Sequence, residues 1–99
     1  MPIMQISIIP LGTPTPSIGD YIALILKHLK ENHIKYHLSP MGTTIEGTIE
    51  EILNTAKRIH ELPFSEGAKR VLTTISIDDR RDKAVTMEEK VLSIERRLG

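Results

Sequence analysis

The chain has 99 residues and no formal net charge, because 13 lysines and arginines balance 13 aspartates and glutamates. This balance argues against broad electrostatic binding to nucleic acid or to an anionic membrane surface. The sequence contains no cysteine, which excludes disulfides, thiolate metal sites and a cysteine nucleophile.

The length and the N-terminal residues favour one cytoplasmic domain. A chain of 99 residues allows one hydrophobic core, so we expect a single domain over residues 1–99. The first ten residues, MPIMQISIIP, lack the basic start and the cleavage site of a signal peptide. The longest apolar run, residues 21–26, is much shorter than the roughly 20 residues that span a bilayer. We therefore expect a cytoplasmic protein that does not bind membranes.

The first half of the chain alternates strand and helix patterns. Residues 3–10 are rich in isoleucine and precede a turn segment, which predicts a strand followed by a loop. Ser17 and Asp20 have the spacing of a helix start, and the apolar stripe behind them predicts a helix that ends near Asn32. Residues 36–41 predict a second strand, and a tight turn separates it from a short third strand at residues 43–45.

The second half contains two further helix starts. Thr-x-x-Glu patterns at Thr48 and Thr86 resemble capping boxes, and apolar residues at helical spacing follow both. Pro63 and Gly67 are expected to end the first of these helices, and residues 70–79 predict the fourth strand between them. The order of elements predicts an α+β fold, namely a ferredoxin-like βαββαβ antiparallel sandwich with an extra C-terminal helix.

The sheet face turned away from the first two helices, called the open face below, has an unusual predicted composition. A sheet face left in water normally carries Lys, Glu and Arg, whereas none occurs on this face and the only acid is Asp78 at its end. We therefore expect another protein surface to cover it in a homo-oligomer. The alternative is that the C-terminal helix folds back over it, and both arrangements can coexist. Its predicted members are Ile3, Gln5, Ser7, Ile9, His37, Ser39, Met41, Leu72, Thr74 and Ser76.

No catalytic, metal or cofactor site is predicted from the residue patterns. The sequence shows no Ser/His/Asp order and no isolated acid pair suited to acid–base chemistry. Helical metal sites use histidine pairs at i, i+3 or i, i+4 with carboxylate support. Of the four histidines, His28 and His33 are five positions apart, and His33 and His37 are expected to lie on either side of a boundary between a loop and a strand. The four histidines are His28, His33, His37 and His60.

Two charged segments leave alternatives open. Glu46 follows a hydroxyl-rich turn. In one interpretation its carboxylate binds a ligand, either by accepting hydrogen bonds from an amino-heterocycle or by balancing a cation. In the other it is a solvated carboxylate at the end of a strand. Residues 78–82 form an acidic and basic run, in which Arg80 and Arg81 either form ion pairs at the strand exit or hold an anion or a neighbouring subunit.

Five short segments together resemble a known family. They are IPLGT at 9–13, MGT at 41–43, IEG at 45–47, RV at 70–71 and IDDRRD at 77–82. In this order and at these separations they resemble the MTH1187/YkoF-like family of small thiamine-binding proteins. The resemblance covers essentially the whole chain.

The resemblance implies a function as well as the fold. It implies non-catalytic binding of thiamine or its hydroxymethylpyrimidine portion near a subunit interface, in a homodimer or homotetramer. Glu46 would engage the aminopyrimidine or the thiazolium charge, with apolar walls from Met41, Ile9 and Leu11. The ligand-binding residues implied are Ser7, Gly12, Thr13, Ser39, Met41, Thr43 and Glu46.

These expectations lead to three hypotheses from different classes. The first is a thiamine-binding homo-oligomer that acts as a carrier, buffer or sensor. The second is a structural or regulatory homo-oligomer whose open face serves only for self-assembly. The third, which has the least support, is an enzyme with an unrecognised substrate. Nucleic acid is not an expected partner of any of them, because the charge is balanced and only three aromatic residues are present.

Overall fold

The computed structural model describes residues 1–12, 19–82 and 86–99, and its seven elements follow the predicted order. One antiparallel sheet has the strand order β2-β3-β1-β4, which confirms the ferredoxin-like α+β fold. Within these ranges no helix is long and apolar enough to cross a membrane. The elements are β1 Ile3–Leu11, α1 Gly19–Glu31, β2 Lys35–Ser39, β3 Gly42–Glu46, α2 Ile49–Ser65, β4 Arg70–Asp78 and α3 Met87–Leu98.

The N-termini of α2 and α3 agree with the caps predicted at Thr48 and Thr86. The hydroxyl of Thr48 accepts a hydrogen bond from the backbone N–H of Glu51 at 3.1 Å, which begins α2. The last residue of α2 is Ser65, which lies between Pro63 and Gly67, the two residues that were expected to end the helix. Proline removes a single backbone donor, and its own carbonyl still accepts from the backbone N–H of Ala68 at 3.0 Å. The predicted start of α1 at Ser17 lies outside the described residues.

The hydrophobic core lies between one sheet face and the helices α1 and α2. Side chains alternate along a strand, so Met4 and Ile6 of β1 share a face with Ile45 of β3. All three are almost completely buried, as the predicted alternation requires. The helical stripes that cover them comprise Ile25 and Leu29 of α1 and Ile52, Ala56 and Ile59 of α2.

The open face is more charged at one end than predicted. Lys35, Glu46, Ile3 and Asp78 lie side by side across the four strands. The prediction of a face without Lys or Glu is therefore wrong in this row, called the charged row below. The cause is that β2 begins one residue earlier, and β3 ends one residue later, than the sequence pattern predicts.

Helix α3 covers the charged row and leaves the rest of the open face exposed. Met87 in its first turn is buried, with 6% of its surface exposed, and Lys90 forms an ion pair with Asp78. Leu72, farther along the open face, is 53% exposed. The C-terminal helix therefore folds back over part of this face within the same chain.

Gly42 allows the hairpin of β2 and β3 to approach β1 closely. Its φ is +150°, and a Cβ at this position would lie 2.8 Å from the backbone oxygen of Ile6. We predict that Gly42→Ala lowers the free energy of unfolding by about 2 kcal/mol or more, because strain and a backbone clash add together. Gly67→Ala is the matched control, since Gly67 has φ +98° with open space around it. Urea unfolding measures both, and an equal loss in the two variants would contradict the clash.

Candidate functional site

A notch opens in the sheet where the hairpin of β2 and β3 ends. The pairing of β1 with β3 stops at Ile6, opposite Thr43, whereas the pairing of β1 with β4 continues to Leu11. Beyond Ile6, the β3 side of the central strand therefore has no strand partner among residues 1–12, 19–82 and 86–99. Backbone N–H and C=O groups of a strand need hydrogen-bond partners, so this stretch is suited to bind the polar edge of a ligand. We call this opening the hairpin notch.

The hairpin notch has apolar walls and a few hydroxyl groups. Its cavity measures about 320 Å³, which lies within the roughly 300–1,000 Å³ typical of small-molecule sites. Ile22 and Ile25 of α1 and Leu38 of β2 contribute to the walls. No charged side chain is among the described residues that line it. This lining suits an uncharged ring that forms a few directed hydrogen bonds.

Four of the seven predicted ligand-binding residues line the hairpin notch together: Ser7, Ser39, Met41 and Thr43. Thr43 is buried and Ser7 is half-buried, whereas Met41 is 79% exposed at the hairpin turn. The Ser39 hydroxyl donates to the backbone oxygen of Gly42 at 3.1 Å and accepts from the backbone N–H of Met41 at 3.4 Å. Ser39 thus also holds the turn that forms one side of the notch.

The other three predicted residues do not line this cavity. Glu46 is three residues beyond Thr43, which places it about 10 Å farther along the strand and on the opposite sheet face. Gly12 follows the last residue of β1, is exposed and has φ +64°. Thr13 lies outside the described residues. Glu46 pairs opposite Ile3 of β1, so it shares the open face with Ser7 but lies four residues, about 13 Å, from it along the strand. Within one chain this distance separates Glu46 from the hydroxyls of the hairpin notch.

Glu46 forms an ion pair rather than a free carboxylate. Its side chain is 5% exposed, and its Oε2 lies 2.9 Å from Nζ of Lys35 without a well-aligned hydrogen bond. The interpretation of Glu46 as a solvated strand-end carboxylate is therefore wrong. The same Nζ donates to Oε2 of Glu88 in α3 at 2.9 Å. The pKa of Lys35 is raised first by Glu46 and then by Glu88, because both carboxylates favour the charged ammonium between them.

Glu88 connects α3 to two residues of β2. The hydrogen bond from Lys35 is the largest cause that lowers the pKa of Glu88, which falls to about 2 from its usual 4.5. Nε2 of His37 lies 3.7 Å from Oε1 of the same carboxylate. Sequence reasoning missed this cluster, because Lys35 and Glu88 are 53 positions apart and no local pattern relates them.

The remaining charged candidates pair locally. Nε of Arg80 donates to Asp82 at 2.7 Å, and Arg81 lies 2.8 Å from Asp79. These exposed pairs fit the structural interpretation of the loop after β4, and exposed ion pairs contribute little to stability. Within the described ranges, no group of three or more His, Asp and Glu side chains is placed to hold a metal ion.

Comparison with known proteins decides the family. Residues 4–95 match the sequence profile of a family described as thiamine-binding protein. The chain belongs to this family. The match spans all four strands of the sheet, from β1 to β4, and most of α3.

Relatives of this thiamine-binding family share both sequence and fold with the chain. The UPF0045 protein YqgV of Bacillus subtilis is 46% identical, over 99% of this chain and 98% of the relative. The crystal structure of the hypothetical protein MJ1052 from Methanocaldococcus jannaschii is similar with a TM-score of 0.83, at 33% identity over 95% of both chains. A candidate thiamine biosynthesis or salvage protein from Thermotoga maritima has a TM-score of 0.76 at 26% identity, covering 94% of this chain and 97% of its own.

The lowered pKa of Glu88 predicts how acid affects the attachment of α3. Because the folded pKa of about 2 lies below the usual 4.5, the ionised carboxylate stabilises the folded state above pH 4.5, and this stabilisation is lost as the pH falls toward 2. Glu88→Gln should therefore show a weaker fall of the free energy of unfolding between pH 6 and pH 2.5. Urea unfolding at several pH values measures this.

The matched control for this prediction is Glu95→Gln on the same helix. Glu95 is exposed and has no ion-pair partner among the described residues, so its pH profile should follow that of the unmodified chain. A Glu88→Gln profile that runs parallel to the unmodified one would show that the ion pair with Lys35 does not hold α3.

Proposed function

We propose that the chain binds a thiamine-type molecule without catalysis and that the aminopyrimidine portion enters the hairpin notch. The observation that carries this proposal is the open backbone edge of β1 beyond Ile6, in a chain that belongs to the thiamine-binding protein family. The candidate thiamine biosynthesis or salvage protein of Thermotoga maritima, which shares the fold, supports the same ligand class.

The hydrogen-bonding pattern of an aminopyrimidine fits the open edge of a strand. The ring presents an amino donor beside a ring-nitrogen acceptor, and an extended backbone presents N–H donors and C=O acceptors along its edge. The hydroxyls of Ser7 and Thr43 supply further partners at the inner end of the notch. Ile22 and Ile25 then contact the ring faces.

The charge distribution fits the pyrimidine better than the thiazolium ring. No charged side chain is among the described residues that line the notch, and Glu46 is already paired with Lys35 at the other end of the sheet. A cation buried without a counter-charge is strongly disfavoured. We therefore place the thiazolium ring toward the exposed Met41, where water can solvate its charge.

Isothermal titration calorimetry with three compounds tests the proposal. Thiamine and hydroxymethylpyrimidine should both bind, whereas the thiazolium portion alone should not, because the notch offers it no counter-charge. Ser7→Ala and Thr43→Val should each weaken binding about two- to tenfold, which corresponds to one lost hydrogen bond. Binding of the thiazolium portion alone, or no binding of either pyrimidine compound, would refute this assignment.

Glu46→Gln serves as the control for the location of the site. If the notch holds the pyrimidine, this variant should bind thiamine as the unmodified chain does, although the ion pair with Lys35 is lost. If Glu46→Gln abolishes binding while Ser7→Ala and Thr43→Val have no effect, the ligand lies at the charged row instead.

The exposed apolar side chains support a second part of the proposal, which is that the chain forms a homodimer or homotetramer. Ile9 and Leu72 remain exposed on the open face, and Val91 and Ile94 are exposed on α3. Contiguous exposed apolar surface marks interaction sites, and a chain this small gains stability by burying a second surface. Self-assembly without a ligand is the alternative function that the same observation favours. A carrier, buffer or sensor in the cytoplasm is the role we propose for the binding form.

Light scattering of the purified chain after size exclusion tests the self-association. At micromolar concentration the mass should be two or four times the 11.1 kDa of one subunit. The reason is that the exposed apolar side chains of the open face, such as Ile9 and Leu72, need another protein surface to cover them. Leu72→Glu places a charge on this surface at little cost to the monomer and should shift the mass toward one subunit. A mass of one subunit for the unmodified chain would contradict the proposal.

A further inference from the structure

A second cavity lies between the two core helices, at the end of the sheet that carries the charged row. Its volume is about 530 Å³, within the roughly 300–1,000 Å³ typical of small-molecule sites. Buried Ile45 and Ile52, together with half-buried Ile34, give it apolar surface. None of the described residues that line it also lines the hairpin notch. We call this second cavity the helix cleft.

Hydrogen-bond donors reach the helix cleft from both helices. His28 lies in the last turn of α1, and Asn32 and His33 lie in the turn that follows it. Asn54 and Arg58 are four positions apart on α2, so they lie on the same face of that helix. Arginine presents a rigid set of donors that matches the oxygen atoms of a carboxylate or a phosphate. The cleft therefore combines apolar surface with donors suited to an anion.

His33 holds a backbone conformation that favours glycine. Its φ is +56°, and its backbone N–H donates to the carbonyl of Lys30 at 3.2 Å, while that of Ile34 donates to the carbonyl of Leu29 at 3.0 Å. This is the Schellman arrangement, in which glycine is the usual residue because it has no side chain to strain the backbone. A strained residue beside a cavity points to a function of its side chain, and His33 lines the cleft.

The carbonyl groups at the end of α1 are occupied by donors of the chain itself. The carbonyl of His28 accepts from the backbone N–H of Asn32 at 3.1 Å and from its side-chain Nδ2 at 2.8 Å. The next two carbonyls accept in the Schellman arrangement described above. Unpaired carbonyls give the C-terminus of a helix its partial negative charge. Their pairing here reduces the repulsion that an anion beside α1 would meet.

The acids of the helix cleft have partners of their own. Glu46 is paired with Lys35, and Glu51 accepts a hydrogen bond from the hydroxyl of Thr48 at 2.9 Å. None of the ion pairs between described residues includes Arg58. Arg58 follows Glu51 by seven residues, about 10 Å along the helix axis. Its charge is therefore available to a ligand.

We propose that the helix cleft binds a compact organic dianion, either a phosphate ester or a dicarboxylate, and binds it more tightly when its two histidines are protonated. Arg58 and Asn54 donate to the charged oxygen atoms, and the carbon portion of the ligand contacts Ile34 and Ile52. This site is separate from the hairpin notch and does not depend on binding of a thiamine-type molecule there.

The surroundings of His28 and His33 set the sign of the pH dependence. Side-chain Nδ2 of Asn32 lies 3.5 Å from Nδ1 of His28. An unperturbed histidine gains its proton near pH 6.5. At about pH 8 the charged side chains of the cleft cancel, whereas protonation of both histidines adds two positive charges, so binding of a dianion should strengthen as the pH falls. The other charged side chains that line the cleft, besides the first residue Met1, are Lys35 of β2, Glu46 of β3, and Glu51 and Arg58 of α2.

Nuclear magnetic resonance titrations of the full chain with sulfate and with oxalate test the proposal, because both probes remain dianions between about pH 5.5 and pH 8. The backbone amide signals of residues 28–34 and 54–58 should shift and saturate with each probe. The dissociation constant should be at least about tenfold lower at pH 5.5 than at pH 8, since two additional charges face the dianion. Tighter binding of sulfate would assign the phosphate class, and tighter binding of oxalate the dicarboxylate class.

No saturable shift of these signals at pH 5.5 with either probe would overturn the proposal. Thiamine should instead shift signals around the hairpin notch, so the outcomes for the two sites can be told apart.

Arg58→Gln tests the location of the anion, with Lys57→Gln as its matched control. Lys57 is exposed on α2 and is not among the residues that line the cleft. Arg58→Gln should raise the dissociation constant for sulfate at least about tenfold, because charge-assisted hydrogen bonds are lost. Lys57→Gln removes the same charge and should change it by less than about twofold. Equal effects of the two variants would overturn the site.

Histidine variants test the pH dependence. His28→Gln combined with His33→Gln should remove most of the difference between pH 5.5 and pH 8. His60→Gln should keep that difference, because His60 contacts Thr73 of β4 and does not line the cleft. His33→Gly should raise the midpoint of urea unfolding, since glycine relieves the strain, and should weaken sulfate binding at pH 5.5. An unchanged pH dependence in the double variant would overturn the role of the histidines.

Discussion

The structure depends on the unequal lengths of the two strand ladders that β1 shares. On one side β1 pairs with β4 along nine residues, and on the other side with β3 along four. The core residues Met4 and Ile6 lie where both ladders exist, so the sheet is continuous under the helices. Where only the β4 ladder remains, backbone groups face an apolar cavity. The core and the candidate ligand site are therefore successive parts of one strand.

The two ends of the sheet carry different side chains, and this difference also follows from where the strands begin and end. At the hairpin end the strands finish in a turn held by Ser39 and Gly42, and uncharged side chains line the space. At the other end β2 and β3 bring Lys35 and Glu46 side by side, where α3 adds Glu88. A buried acid is stable there because the lysine lies 2.9 Å from both carboxylates. The charged row therefore acts as the attachment of α3.

Local patterns predicted the element order, the caps at Thr48 and Thr86 and the core face, because each depends on residues close in sequence. The family resemblance was likewise confirmed. The ends of the strands were less predictable. Strand β2 begins one residue earlier than predicted, at Lys35, and β3 ends one residue later, at Glu46. These two residues add charges to a row of the open face that was predicted to carry neither Lys nor Glu. Four site residues came together as expected, whereas strand alternation placed Glu46 on the face opposite Thr43. Contacts such as Lys35 with Glu88 depend on where α3 docks, which no local pattern contains.

The capping box of α3 has a consequence for how this helix behaves as a unit. The Thr86 hydroxyl accepts from the backbone N–H of Glu89 at 3.2 Å, and the Glu89 carboxylate accepts from the backbone N–H of Thr86 at 3.3 Å. Both bonds are internal, so the sheet is not needed to start the helix. A helix of 12 residues is marginal alone in water, so the capping box fixes where α3 begins, and contact with the sheet is needed to keep the segment helical.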